Sequence, residues 1–224
     1  MFTAVFGRRG SGKTTLIRAM IPKLKKPVVI LDVLGNFQGY ESGGKEWYDA
    51  TSTKDALLEI RSFLQKPQEH SGIISLQTGD IDNSIDFLCS ALWKIHGGTL
   101  VLDEVDSISI SDAPCFDEAI RYGRNHAIDV VTGARRPAEV SKNITAAADR
   151  VYCFATREPR DIEYYREFLG DDLAFQIPKL PQWHGIYSDF LEQKHGTFRT
   201  DALGNIQILK TSCETADYSI DSEE

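Results

Sequence analysis

The sequence predicts an α/β domain, a mainly parallel sheet flanked by helices, with a small β annex at its C-terminal end. Three observations predict it. Six short runs rich in Val, Ile and Leu are apolar on both faces, as strands covered by helices on either side are. Helical periodicity fills the intervals between them. Beyond Gly170 that alternation stops, and Pro178 and Pro181 lead into short strand-like runs.

In chain order, strand 3–6 feeds a loop and a helix over 13–25, and strand 28–31 is followed by a loop over 35–44. Helix 54–65 precedes strand 72–76, and helix 84–96 precedes strand 99–102. A loop over 107–114 leads to helix 114–125, then strand 129–132, helix 137–147, strand 151–154 and helix 159–169. Three of these helices open on Pro114, Pro137 and Pro159, where a missing N–H costs nothing and the fixed φ suits the first turn. The annex has two strand candidates, around Gly185 to Phe190 and Thr197 to Thr200. The expected organisation is a core over 1–170, the annex over 171–210 and an acidic, disordered tail over 211–224.

Composition narrows the function classes. The 224 residues are 42 % hydrophobic and 26 % charged, which describes an ordinary globular core. The net charge of −8 is uneven, because Glu214, Asp217, Asp221, Glu223 and Glu224 follow Lys210 with no base among them. Residues 1–210 hold 25 bases against 28 acids, a net −3, so any nucleic-acid contact is expected at a few loops rather than over a basic surface. Cys89, Cys115, Cys153 and Cys213 form no C-x-x-C pair and the five histidines no H-x-x-x-H spacing, which argues against a structural zinc. Met1 runs directly into an apolar strand without a basic leader or long apolar run, so a soluble cytoplasmic protein with no membrane insertion is expected.

The chemistry begins at Gly7-Arg8-Arg9-Gly10-Ser11-Gly12-Lys13-Thr14, a full G-x-x-x-x-G-K-[ST] motif between an apolar strand and the helical start at Thr15. Its glycines let backbone N–H groups face phosphates, and the helix N-terminus adds partial positive charge. Lys13 is expected to reach the β- and γ-phosphates of ATP and Thr14 to ligate Mg²⁺. Asp103 and Glu104 end a buried strand, Asp103 suited to the metal and Glu104 to activating water. That pairing favours NTP hydrolysis over a small-molecule kinase, which needs no water-activating acid. Arg121 and Arg124 precede the fifth strand and Arg135 follows it; Arg135 is a candidate γ-phosphate sensor, Arg121 and Arg124 candidate fingers acting on a neighbouring subunit. An alternative for the arginines is pairing with Asp117 or Glu118 at helical spacing. Asp32, at a strand end, is open to either a solvated or a functional reading, and Asp106 receives no role.

The order of these segments resembles the FtsK/HerA superfamily of P-loop motors over about residues 2–190. The match runs from Gly7–Thr14 through Val28-Val29-Ile30-Leu31-Asp32 and Leu100-Val101-Leu102-Asp103-Glu104. It continues through Arg124 to Val140, with Gly133-Ala134-Arg135-Arg136-Pro137, and into Ala148 to Phe154. The resemblance implies a RecA-like (ASCE) P-loop fold, with Arg135 standing where the family usually has a sensor glutamine. With the motif so near the N-terminus, the chain is similar to the genome-packaging ATPases of tailless, membrane-containing phages and related viruses. That similarity implies a homomeric ring, expected to be a hexamer, moving double-stranded DNA in the host cytoplasm or at the virion vertex, with a capsid vertex or portal protein as partner. A nucleotide-gated assembly or secretion ATPase that moves no DNA is the alternative.

Overall fold

The computed structural model describes residues 1–42, 45–108, 113–201 and 205–213. The chain runs β1 (Phe2–Phe6), α1 (Lys13–Met20), β2 (Val28–Leu31), β3 (Glu41–Ser42), β4 (Lys45–Glu46), β5 (Tyr48–Ala50), α2 (Thr53–Gln65) and β6 (Ile73–Leu76). It continues α3 (Ile81–Ile95), β7 (Gly98–Leu102), α4 (Pro114–Tyr122), β8 (Ile128–Ala134), α5 (Lys142–Ala147), β9 (Arg150–Phe154) and α6 (Pro159–Leu169). The last elements are α7 (Asp171–Ala174), β10 (His184–Asp189), β11 (Lys194–Thr200) and β12 (Ile206–Cys213).

Ten strands form one sheet in the order β12-β11-β10-β9-β1-β8-β7-β2-β6-β5, while β3 and β4 pair separately. From β5 to β9 every neighbour is parallel, and β10, β11 and β12 are antiparallel. The strand β8 separates β1 from β7, the additional strand that a RecA-like P-loop fold requires. The mainly parallel α/β fold expected from the sequence is therefore present.

Strand alternation divides the core between two faces. Ala4 and Phe6 of β1, Val29 and Leu31 of β2, and Leu100 and Leu102 of β7 point to the face that α2 to α7 cover. Val5, Val28, Ile30 and Val101 point to the other, where Leu16 and Ile17 of α1 meet Phe37, Trp47, Phe154 and Phe198. Among the described residues, α1, the 3₁₀ turn at Ile21 and the stretch after β2 cover this second face.

Several boundaries differ from the sequence reading. The first helix stops at Met20 and tightens to a 3₁₀ turn over Ile21–Lys23 with Pro22 in its first turn. Helix 137–147 is two pieces, a 3₁₀ turn at Pro137–Glu139 and then α5, because Val140 is extended and the Ser141 hydroxyl accepts from Asn143 N at 3.3 Å as a cap. Helix 114–125 ends at Tyr122 and passes into a 3₁₀ turn over Gly123–His126. The loop expected over 35–44 contains β3, and the stretch just after it holds β4 and β5, strands too short to show a period; Gly43 and Gly44 lie outside the described residues, as do 109–112 of the loop expected over 107–114.

The annex is no separate layer. Its strands continue the main sheet through β10 against β9, and α7 precedes them. The tail boundary at 211 is also corrected, since β12 continues to Cys213 by pairing with β11; the five acids from Glu214 onward lie outside the described residues.

Candidate nucleotide-binding site

The site forms where β1 and β7 end on the same edge of the sheet, as parallel strands require of a ligand crevice. Gly7 N donates to Ala134 O of β8 at 3.0 Å, so the loop leaves the sheet still tied to it. Gly10 and Gly12 have φ of 76° and 107°, left-handed values that a side chain adopts only with strain. A Cβ on Gly7 would sit 2.4 Å from Ser11 Oγ. Gly12 caps α1, whose first turn contains no acid of its own, and the helix start carries partial positive charge.

Lys13 curls back across the loop. Its ammonium pairs with the Asp103 carboxylate and donates to Glu104 Oε1 at 3.2 Å, and Thr14 Oγ1 donates to Asp103 Oδ2 at 2.8 Å. Lys13, Asp103 and Glu104 are all buried. Glu104 holds φ 60°, ψ 44°, a left-handed conformation that costs of order 1–3 kcal/mol for a non-glycine residue and turns its carboxylate back over the strand end.

Arg135 follows β8 and closes the cluster. Its Nε lies 2.8 Å from Glu104 Oε2 and 3.4 Å from Asp106 Oδ2, and its backbone N donates to Asp106 Oδ1 at 3.4 Å. Sequence reasoning left Asp106 without a role; here it anchors Arg135 beside Glu104. It missed Gly133 as well. A Cβ there would meet Asp103 Oδ1 at 2.4 Å and Ile17 Cδ1 at 2.8 Å, so only glycine lets Asp103 cross β8 to reach Lys13 and Thr14. The available signal was a glycine inside an apolar strand, which marks a close approach.

The structure brings together Gly7, Gly10, Ser11, Gly12, Lys13, Thr14, Asp103, Glu104 and Arg135. Arg8 and Arg9 are exposed on the loop and Thr15 half-buried behind it. Asp32, a strand-end acid, accepts from Asn36 N at 2.8 Å and Phe37 N at 2.7 Å, so it pins the turn after β2. Arg121 and Arg124 are not at this site. Arg121 pairs with Asp117 one helical turn back, at 3.0 Å, as the alternative reading expected. Arg124 pairs with Asp149, whose other oxygen accepts from Phe2 N at 2.7 Å. Both arginines therefore lie by the start of β1, roughly 17 Å of strand from the loop at its end.

The donor set fits a magnesium nucleotide. Thr14 and Asp103 place a hydroxyl and a carboxylate oxygen in contact, hard ligands of the kind Mg²⁺ takes alongside phosphates. Ser11 Oγ is buried without a hydrogen-bond partner, and the glycine positions leave room at the backbone that a Cβ would fill. Among the described residues no group of three or more His, Cys, Asp or Glu is placed to hold a metal. No helix of the described residues is long and apolar enough to cross a membrane.

No protein-family profile and no curated protein sequence matches the chain. Solved structures do. The genome packaging NTPase B204 from Sulfolobus turreted icosahedral virus 2, in complex with ATPγS, aligns at 20 % identity with a TM-score of 0.67, covering 93 % of this chain and 96 % of that one. B204, the DNA-packaging ATPase from Sulfolobus turreted icosahedral virus, aligns at 18 % identity and a TM-score of 0.64 over 93 % and 96 %. The pCW3 conjugation coupling protein TcpA aligns at 12 % identity and a TM-score of 0.53, over 83 % of this chain and 56 % of that one. The fold is that of P-loop NTPases, the class implied by the motif order, and B204 is similar over nearly its whole length.

Proposed function

We propose that the chain is an ATP-hydrolysing motor that translocates double-stranded DNA, packaging a viral genome into a preformed capsid. The observation that carries this reading is the buried convergence of Lys13, Thr14, Asp103 and Glu104 beneath an N–H-lined glycine loop. Similarity to B204 over most of both chains supports the packaging part of the proposal.

In this reading the loop N–H groups from Arg8 to Thr14, except that of Ser11, which donates to Arg8 O, bind the phosphates of ATP together with the Lys13 ammonium, and Thr14 and Asp103 hold Mg²⁺. The metal, when bound, neutralises charge on the phosphate oxygens. Lys13 then exchanges its carboxylate partners for phosphate oxygens. Glu104 takes a proton from water as that water's oxygen bonds to the γ-phosphorus and the bond to ADP breaks, giving ADP and inorganic phosphate. Arg135 orients the Glu104 carboxylate through their ion pair, and its exposed guanidinium is the γ-phosphate sensor. Arg121 and Arg124 serve the neighbouring subunit in a homomeric ring, a hexamer, which requires them to leave Asp117 and Asp149. A capsid vertex or portal protein is the partner that receives the DNA, at the vertex or in the host cytoplasm.

A second reading, an assembly or secretion ATPase that moves no DNA, is favoured by the similarity of fold to a type VII secretion ATPase, EccC of Thermomonospora curvata. That structure aligns at 14 % identity and a TM-score of 0.52, over 84 % of this chain and 24 % of that one. ATP turnover with and without double-stranded DNA separates the two. Under the DNA-motor reading, DNA raises turnover and binds without sequence preference, more weakly as salt rises because phosphate contacts release counterions. Absence of DNA binding in every nucleotide state at low salt would leave only the assembly reading.

A further inference from the structure

Helices α2 and α3 pack side by side on the more heavily covered face of the sheet, and a groove of about 480 Å³ runs between their outer surfaces. Leu58, Leu64 and Phe87 line it and keep 54 %, 48 % and 48 % of their surface exposed. Three large apolar side chains exposed together offer a place for a small apolar partner. Lys54, Arg61 and Lys94 surround it, and none of them forms an ion pair with an acid of the described residues, unlike Lys66 at the end of the same α2, which pairs with Glu69. Nucleic acid would meet the charged rim and leave the floor wet. An acidic peptide with apolar side chains between its charges uses both.

The chain carries such a segment. Residues 214–224, Glu-Thr-Ala-Asp-Tyr-Ser-Ile-Asp-Ser-Glu-Glu, hold five acids and no base, with Tyr218 and Ile220 set between Asp217 and Asp221. The segment follows β12, one edge of the open sheet, whereas α2 packs on β5 and β6 at the other edge. Eight inter-strand steps from β12 to β6, at about 4.8 Å each, span roughly 38 Å. Ile220, seven residues beyond Cys213, reaches at most about 25 Å in a fully extended chain. The groove of its own copy is therefore out of range. Ile206, Ile208 and Leu209 of β12 are exposed as well, so the edge that precedes the segment is itself suited to a neighbour.

We propose that residues 214–224 of one copy dock in the α2–α3 groove of the next, Tyr218 and Ile220 on the Leu58, Leu64 and Phe87 floor and the acids against Lys54, Arg61 and Lys94. Joining opposite edges of the sheet makes a head-to-tail contact, which closes into a ring when the rotation permits. This rests on the self-assembly part of the function proposed above, but its test reads contact and not turnover.

The test uses the full chain with Tyr218→p-benzoylphenylalanine, mixed with isotopically heavy copies and irradiated. The expected product is a heavy–light cross-link between position 218 and peptides of α2 or α3, diminishing as salt rises. Phe87→Asp should abolish it while leaving the melting temperature unchanged. The pair Arg61→Glu and Lys94→Glu should weaken it severalfold, and adding Asp217→Lys and Asp221→Lys to the photo-reactive chain should restore it. Cross-links confined to single chains, cross-links outside α2 and α3, or indifference to both sets of charge changes overturn the proposal. Each of those results leaves the ATPase reading to be judged by its own assay.

Discussion

Lys13 and Glu104 touch each other, yet their substitutions should fail in different ways. Lys13 is the buried cation of the loop, so Lys13→Ala removes phosphate binding; Glu104→Gln keeps the shape and the phosphate site but not the base. Glu104→Gln is expected to bind a fluorescent ATP analogue near normally while turnover drops by about 10²–10⁴-fold. Near wild-type turnover in that variant would end the assignment of Glu104. Gly133 supports the same site by what it lacks. Because a Cβ would lie 2.4 Å from Asp103 Oδ1 and 2.8 Å from Ile17 Cδ1, Gly133→Ala must displace the carboxylate or the helix. A cost of about 1–3 kcal/mol in denaturant unfolding is expected, together with a raised Mg²⁺ requirement for turnover. A variant as stable and as active as the native chain would show that Asp103 has slack in its position.

At the scale of elements, α2 shows how one short segment is fastened to its neighbours. Ser52 is extended, and its Oγ accepts from Asp55 N at 3.1 Å, while Asp55 Oδ2 accepts from Thr51 N at 2.8 Å and Oδ1 from Tyr48 OH at 2.8 Å. This reciprocal cap ties the helix start to β5. The hydrogen bond from Thr51 N, followed by that from Tyr48, holds the Asp55 carboxyl below its ordinary pKa of 3.8. A depressed carboxylate pKa contributes stability above the unfolded value, and that contribution is lost as pH falls through the folded one. Asp55→Asn should therefore melt below the native chain at neutral pH, with the gap closing in acid beneath the usual carboxylate range. A gap that is constant from neutral pH to pH 3 would contradict the cap as the source. Ser52→Ala should cost about 1 kcal/mol by the same unfolding measurement.

For the whole molecule, the separation of Arg121 and Arg124 from the loop bears directly on assembly. They stand by the start of β1 and the nucleotide site by its end, so a single copy cannot use them on its own phosphates. If a neighbour uses them, specific activity should rise steeply with protein concentration. Mixing Glu104→Gln chains with Arg124→Ala chains should also recover part of the activity that each lacks alone, since some sites then combine an intact glutamate with an intact arginine. Activity per subunit that is flat from dilute to concentrated protein rules the shared site out. Because Arg124 also pairs with Asp149, the melting temperature of Arg124→Ala is the control that separates a catalytic loss from a loosened β1.

The sequence by itself determined the parts whose chemistry is local. The spacing of Gly7, Gly12, Lys13 and Thr14 is set by backbone curvature at one turn, and the buried strands before that motif and before Asp103 are visible as unbroken apolar runs. Helix ends were less legible, since Ser141 caps α5 only because the chain is extended at Val140 after Pro137, and β3, β4 and β5 are too short to carry a period. The tertiary structure decided what depends on strand order. Inserting β8 between β1 and β7 is what places Gly133 beneath Asp103 and Arg135 beside Glu104, residues about thirty positions apart in sequence. It also sent Arg121 and Arg124 to the opposite edge, because α4 turns the chain back before β8 begins. Edge-to-edge position in a parallel sheet follows from crossover connections, and a pattern of apolar residues records that a strand is buried without recording which strands lie beside it.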